Sequence, residues 1–291
     1  MKMDSGYLTA SDGVKLFYQY WLPEKVERIL VCIHGASSHS GEFAYLGNYL
    51  SSKDVLTFTL DLRSNGRSGG ERGDIEDIRI QLNDIDEMVN QLKDEWRKPI
   101  YMLGHSLGAS YALWYGSEYY EKLAGLVLVA PAIRLKTGLL GIPAPLSDLW
   151  KFPLYSVFMP SKKWDVSRGW PQRFRESEDG KCILNDENCV KEFTFRYLIN
   201  LSKVGGRACL KPASKVNIPT LILQGVDDEL VEPRGAEELY EKLIAQVKEL
   251  RIFEGADHCF HGLFSLRPSM GEFEQEKQQI CQTIYDWLTR F

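Results

Sequence analysis

Nowhere does this chain carry the roughly 20 uninterrupted apolar residues that a bilayer-spanning helix needs. Its first stretch, Met1 to Gly13, holds Lys2, Asp4 and Asp12 and lacks an apolar run of signal-peptide length, so a cytoplasmic protein is the expectation. Cysteine is sparse and unpatterned. Cys32, Cys182, Cys189, Cys209, Cys259 and Cys281 form no C-x-x-C pair and no metal-ligand spacing, which suits reduced thiols; Cys182 and Cys189 alone stand at a spacing that closes a small loop. A surplus of positive charge is also missing. The formal net charge of −5 offers no general field for nucleic acid. Basic residues gather only locally, at Lys162, Lys163, Arg168, Arg173 and Arg175. The plainer reading of that group is a solvated face of mixed charge, and the sharper one a rim that meets anionic substrates or, transiently, a lipid surface. Internal repeats and low-complexity tracts are absent.

What the chain does have is enough apolar residue, 44% of 291, to bury a large core without metal or disulfide staples. Short runs rich in β-branched residues recur at Arg28–His34, Val55–Asp61, Ile100–Gly104, Leu126–Ala130, Thr220–Gln224 and Leu250–Phe253. They are apolar nearly throughout, as expected of parallel strands covered on both faces. An earlier pair, Tyr7–Thr9 and Lys15–Trp21, alternates more and is joined through Asp12-Gly13, which predicts an antiparallel hairpin at one edge. Between the strands lie helical stripes: Ile78, Leu82, Ile85, Val89, Leu92 and Trp96, then Ile280, Ile284, Trp287, Leu288 and Phe291. Alternation of this kind predicts an α/β fold, a mostly parallel sheet of about eight strands with helices on both faces.

One stretch breaks the rhythm. From Ala130 to Thr220 a run rich in proline and aromatics, including Pro143, Pro145, Trp150, Tyr155, Trp164, Trp170 and Phe174, replaces the strand–helix alternation. A structureless loop of that length is anomalous in a compact domain. The expectation is a mostly helical cap over residues 133–215, inserted into a core of residues 1–132 and 216–291. Its aromatics read either as the wall of an acyl pocket or as the cap's own small core.

The sharpest local signal is Gly104-His105-Ser106-Leu107-Gly108, a G-x-S-x-G that follows a predicted strand and opens a predicted helix. The glycines relieve collisions at a tight strand-to-helix turn, which lifts the serine oxygen to the carboxyl end of the sheet beside the positive end of a helix. A serine hydroxyl is a weak nucleophile and needs a base that is itself held by an acid. Of the histidines at 34, 39, 105, 258 and 261, only His258 and His261 follow the serine and a further strand. His258 sits on a short loop after the strand ending at Phe253 and is favoured; His261, the rival, reads as supporting the next helix. Asp228, on the loop after Thr220–Gln224, best fits the acid, with Asp227 as the alternative. The developing oxyanion needs donors. The Leu107 amide, directly after the serine, and the Ala36 amide, on the loop after Arg28–His34, are the candidates, while Ser37, Ser38 and His39 shape that loop.

Taken together, HGASSHSGEF (34–43), DLRSNGRSGGERG (61–73), LGHSLG (103–108), LILQGVDDELV (221–231) and EGADHCFH (254–261) resemble the monoacylglycerol lipase and lysophospholipase branch of the α/β-hydrolases, a group related to the serine aminopeptidase S33 enzymes. The resemblance implies Ser106 as nucleophile, Asp228 as acid, His258 as base, and the Ala36 and Leu107 amides as oxyanion hole. It also implies a cap that forms an apolar acyl pocket. Departures stand at Ser37, Ser64-Asn65 and Ala109, where the family usually shows glycine, a glycine-histidine pair and glycine. The expected activity is hydrolysis of a medium- to long-chain monoacylglycerol or similar acyl ester through an acyl-enzyme, with no metal or organic cofactor required. The same triad acting on an aryl (feruloyl-type) ester or a carbon–carbon bond is the alternative within enzymes, and a non-catalytic ligand receptor the alternative outside them.

Overall fold

An antiparallel hairpin of β1 (Lys2–Thr9) and β2 (Lys15–Leu22) opens the chain, in register from Lys2↔Leu22 to Thr9↔Lys15. Its turn closes when the Gly13 amide donates to the Ala10 carbonyl, with Gly13 supplying the positive φ of 87°. β2 pairs antiparallel with β4 (Val55–Leu60), and the remaining pairings of this sheet are parallel. β3 (Arg28–Ile33) lies between β4 and β5 (Ile100–His105), followed by β6 (Gly125–Val129), β9 (Thr220–Gly225) and β10 (Lys248–Phe253). The result is an eight-stranded sheet of order β1-β2-β4-β3-β5-β6-β9-β10, the mostly parallel sheet expected of an α/β-hydrolase. The computed structural model describes residues 2–137, 150–267 and 272–291.

Both faces of the sheet are covered, which is why its strands read as continuous apolar runs. In β3, Leu30 and Cys32 face α1 (Ala44–Ser51) and α10 (Glu274–Thr289), whereas Ile29, Val31 and Ile33 face α2 (Ile78–Trp96), α3 (Leu107–Glu118) and α9 (Arg234–Lys242). Asp77 caps α2 by accepting the Arg79 amide at 2.9 Å, and a left-handed Arg97 ends it. The predicted α2 stripe is buried from Ile78 to Leu92, while Trp96 at the last turn is half-buried. The C-terminal stripe differs at its end. α10 stops at Thr289, so Phe291 lies beyond the helix, 42% exposed, with its ring edge-on to Trp287. β10 is less buried than the inner strands because it pairs on one side only.

Between β6 and β9 the chain leaves the sheet. The described part holds α4 (Lys151–Phe158), α5 (Gln172–Glu176), α6 (Glu178–Asn185), α7 (Phe195–Val204) and α8 (Leu210–Ala213). It also holds an antiparallel pair that the sequence pattern did not signal, β7 (Lys163–Asp165) with β8 (Glu192–Thr194). Three-residue strands are too short to display an alternation. Pro143 and Pro145 of the expected cap lie outside the described residues. The local basic group is largely engaged with its own chain. Lys162 sits 4.0 Å from the Tyr155 ring centroid, Arg168 lies over Trp164, and Lys163 bonds the Arg72 carbonyl at 3.0 Å. Cys182 and Cys189 are separate thiols.

A buried polar knot fastens this segment to the sheet domain. The Tyr197 hydroxyl on α7 accepts from Gln81 Nε2 at 2.8 Å and from Asn65 Nδ2 at 3.1 Å, and Tyr111 on α3 closes the knot by donating to Gln81 Oε1. A buried donor stripped of its acceptor keeps its desolvation cost. Tyr197→Phe is therefore expected to lower the free energy of unfolding by about 1–3 kcal/mol, measured by urea denaturation. An unchanged midpoint and slope would show that the remaining amides re-pair without the phenol.

Candidate active site

β5 delivers Ser106 at its end, and the backbone there is strained. Ser106 has φ 54° and ψ −117°, a region that costs a non-glycine residue about 1–3 kcal/mol. Ordinary ladder and helix bonds hold it: the Ser106 amide donates to the Val129 carbonyl at 2.9 Å, and its carbonyl accepts the Ala109 amide at 3.1 Å. The flanking glycines are required by contact rather than by φ. A Cβ on Gly104 would lie 2.1 Å from the Gly108 carbonyl oxygen, and one on Gly108 would lie 2.0 Å from the Ile33 carbonyl oxygen. The Leu107 amide belongs to the first turn of α3, where helix geometry provides no internal acceptor.

The loops after β9 and β10 meet behind this turn. The Asp227 amide donates to the Ala256 carbonyl at 3.0 Å, which draws the two loops together. Asp228 is fully buried and places Oδ2 2.8 Å from His258 Nδ1. Its other oxygen accepts the Leu230 and Val231 amides, each at 2.8 Å. Burial opposes charge on both partners, but their mutual attraction and these amides outweigh it. The Asp228 carboxyl is held below its ordinary value and the His258 imidazole above its own. The rivals are placed elsewhere. Asp227 is exposed, and His261 stacks on Phe273 at 4.5 Å, just before α10.

The loop after β3 is aimed by a histidine that sequence reading left without a role. The Leu62 amide donates to His34 Nε2 at 3.0 Å, so the ring hydrogen sits on Nδ1, which donates to the Gly35 carbonyl at 2.8 Å. Burial lowers the His34 pKa and keeps the ring neutral. In a trans peptide the N–H points opposite to the C=O. Holding the Gly35 carbonyl on His34 therefore turns the Ala36 N–H the other way, and Ala36 lines the cavity shared with Ser106, Leu107 and His258. Asp61, at the end of β4, supports the next turn by accepting the Ser40 amide at 2.7 Å and the Arg67 amide at 2.8 Å. Ser37 and Ser64 both hold positive φ, 56° and 69°, values uncommon for residues other than glycine.

Apolar side chains wall that cavity: Leu107 and Leu230 from the sheet domain, and Val166, Trp170, Phe174 and Leu198 from the inserted segment. The aromatic run thus divides. Trp170 and Phe174 face the cavity, while Tyr155 and Trp164 pack around Phe195 inside the segment. Among the described residues one group has metal-ligand chemistry, His39, Asp186 and Cys189, with ligand atoms within 4.8 Å of one another. However, His39 Nδ1 accepts the Gly41 amide at 3.1 Å, so the ring hydrogen lies on Nε2, 3.2 Å from Asp186 Oδ2. That nitrogen has no lone pair to offer a metal, and the contact ties the loop to the inserted segment instead.

Comparison with known proteins places this geometry in context. Residues 24–262 match the family described as serine aminopeptidase, S33. The chain is 30% identical to the human monoglyceride lipase over 271 residues, covering 89% of this chain and 84% of that one. It is 23% identical to the monoacylglycerol lipase of Mycolicibacterium smegmatis, covering 95% and 93%. Among solved structures, a soluble variant of the Saccharomyces cerevisiae monoglyceride lipase bound to a substrate analog superposes with a TM-score of 0.76 at 22% identity, covering 98% of this chain and 94% of that one. Est1E of Butyrivibrio proteoclasticus with bound ferulic acid gives 0.67 at 18%, covering 98% and 100%. At these identities the structural likeness is one of fold.

The close approach at Gly108 is testable. Gly108→Ala is expected to push α3 away from the end of β3, lowering stability by about 1–3 kcal/mol or more, as overpacking does. Thermal unfolding of the purified variant reads this directly, and a wild-type melting temperature would contradict the packing described.

Proposed function

The chain belongs to the serine aminopeptidase S33 family and is an ester hydrolase of the α/β-hydrolase fold; on that footing we propose that Ser106, His258 and Asp228 cleave an acyl ester through an acyl-enzyme. The observation that carries the reading is the 2.8 Å bond from His258 Nδ1 to the buried Asp228, set in the cavity that also exposes Ser106. His258 takes the Ser106 proton as Oγ bonds to the ester carbonyl carbon. Negative charge moves to the carbonyl oxygen, which the Ala36 and Leu107 amides stabilise. The carbon–oxygen bond to the alcohol breaks, and the alcohol leaves with the proton held by His258. Water then attacks the acyl-serine, gives a proton to His258, and releases the acid as Ser106 recovers its own.

The cavity wall supports a substrate class. Val166, Trp170, Phe174 and Leu198 suit an acyl chain of medium to long length on a monoacylglycerol or similar ester. Residues 133–215 serve as the cap over a core of 1–132 and 216–291. The exposed Leu154, Val157 and Phe158 on α4 support transient contact of that cap with a lipid surface.

Ser106→Ala is expected to abolish hydrolysis, and its retention at near wild-type rate would refute the assignment. For the intact protein on p-nitrophenyl esters from acetyl to palmitoyl and on mono-, di- and triacylglycerols, kcat/KM is expected to rise by up to about fourfold per added methylene until the cavity is filled. Activity confined to the shortest esters would overturn the acyl-pocket reading. The base must be neutral to act, and Asp228 raises the His258 pKa. The acid limb of kcat/KM against pH is therefore expected above the unperturbed histidine value of about 6.5. Asp228→Asn should move that limb down and lower kcat by about 10⁴-fold. A limb unmoved by this substitution would show that another group titrates.

A further inference from the structure

A buried acid–imidazole pair lies beside the reacting groups, and the mechanism above makes no use of it. Glu42 and His105 are each 3% exposed. One oxygen, Glu42 Oε1, takes both the Gly35 amide at 3.1 Å and His105 Nδ1 at 3.3 Å. At the far edge of the same ring, His105 Nε2 lies 3.1 Å from the His258 carbonyl oxygen. A carbonyl only accepts, so Nε2 carries a hydrogen. Two lone pairs facing each other in a buried site repel, so one proton also lies between Nδ1 and Oε1. Burial alone would raise the Glu42 carboxyl, yet the adjoining His105 holds it below its ordinary value.

We propose that Glu42 and His105 are positioning residues for the ester hydrolysis, clamping the Ala36 loop to the His258 loop across the Ser106 elbow. The proposal rests on the roles given above to Ser106, Ala36 and His258. These three come from the ends of β3, β5 and beyond β10, and no strand ladder spans all of those ends. Glu42 holds the amide of Gly35, the residue before Ala36, while His105 holds the carbonyl of His258 itself. The two links share one ring and one carboxylate, so they form or fail together. Charge-assisted hydrogen bonds of this kind are strong in a low-dielectric interior.

Both groups also line the cavity, and direct contact with the substrate is the competing role. Steady-state kinetics separate the two. Glu42→Gln keeps the shape but cannot share a proton with Nδ1 through the oxygen that accepts from Gly35. His105→Gln keeps a donor near Nε2 and loses the link to Glu42. Each enzyme is titrated with a fluorophosphonate, so that kcat refers to folded sites and a partly misfolded preparation still reports. For each variant kcat is expected to fall about 10–100-fold, somewhat less than loss of a whole oxyanion donor. KM should stay within about threefold, and the double variant should be no slower than the worse single one. Affinity for an alkyl boronic acid should fall in step with kcat/KM, because the boronate adopts the tetrahedral geometry that the clamped loops must meet. Unchanged kcat in both variants, a rise in KM at constant kcat, or losses that multiply in the double variant would each overturn the clamp. Failure of the unaltered protein to label would instead refute Ser106 as nucleophile, so the two readings fail separately.

Discussion

Gly108 runs against the end of β3 so closely that a single carbon atom on it would lie 2.0 Å from the Ile33 carbonyl oxygen. Everything in the candidate site depends on that contact. It seats the first turn of α3 against the sheet, which forces the chain to reverse within one residue, and Ser106 absorbs the reversal in a strained backbone. The same contact brings the first amides of α3 beside the loop after β3. Ala36 and Leu107, from distant parts of the sequence, thereby line one cavity with Ser106. Strain of this size persists only where surrounding bonds over-determine it, and the β5–β6 ladder and the α3 helix do so here.

Around the turn, buried polar groups fix direction where packing alone fixes only distance. His34 is locked into one tautomer by the Leu62 amide and so aims the Ala36 peptide. Asp228 is locked by two backbone amides and so aims His258. In each case backbone amides, from the loop after β4 for His34 and from its own loop for Asp228, set the orientation of a side chain, and that side chain orients a second group lining the cavity. Partial satisfaction would be costly in so dry a place, which makes these arrangements all-or-none.

The inserted segment shows the opposite economy. It is held to the sheet domain by polar contacts that include those around Tyr197, the bonds of Thr194 and Arg196 to Asp74, and the His39–Asp186 bond, and its aromatic residues divide between two places. Tyr155, Trp164 and Phe195 pack together inside the segment, and Trp170 and Phe174 line the cavity shared with Ser106. Aliphatic neighbours such as Val166 and Leu198 complete a wall with few directional demands.

Where local chemistry dictates local structure, the residues spoke for themselves. Strand runs buried on both faces, the Asp12-Gly13 hairpin and the glycine-flanked serine were legible because period, turn preference and steric need act over a few positions. The order serine, Asp228, His258 was legible too, because each follows a strand with the right punctuation. Loop position favoured Asp228 over Asp227 and His258 over His261, and the folded chain adds the direction in which each faces: Asp228 is buried against His258, whereas Asp227 is exposed and His261 stacks on Phe273. The partners of His34, Glu42 and His105 were hidden, because they include groups 28 to 153 positions away and sequence spacing carries no trace of such pairings. So the sequence by itself determined the sheet, the elbow and the chemical types at the site. Which side chains face one another, and which aromatics line the cavity rather than the cap's own core, only the folded chain decided, because burial and hydrogen-bond direction are properties of neighbours that are distant in the sequence.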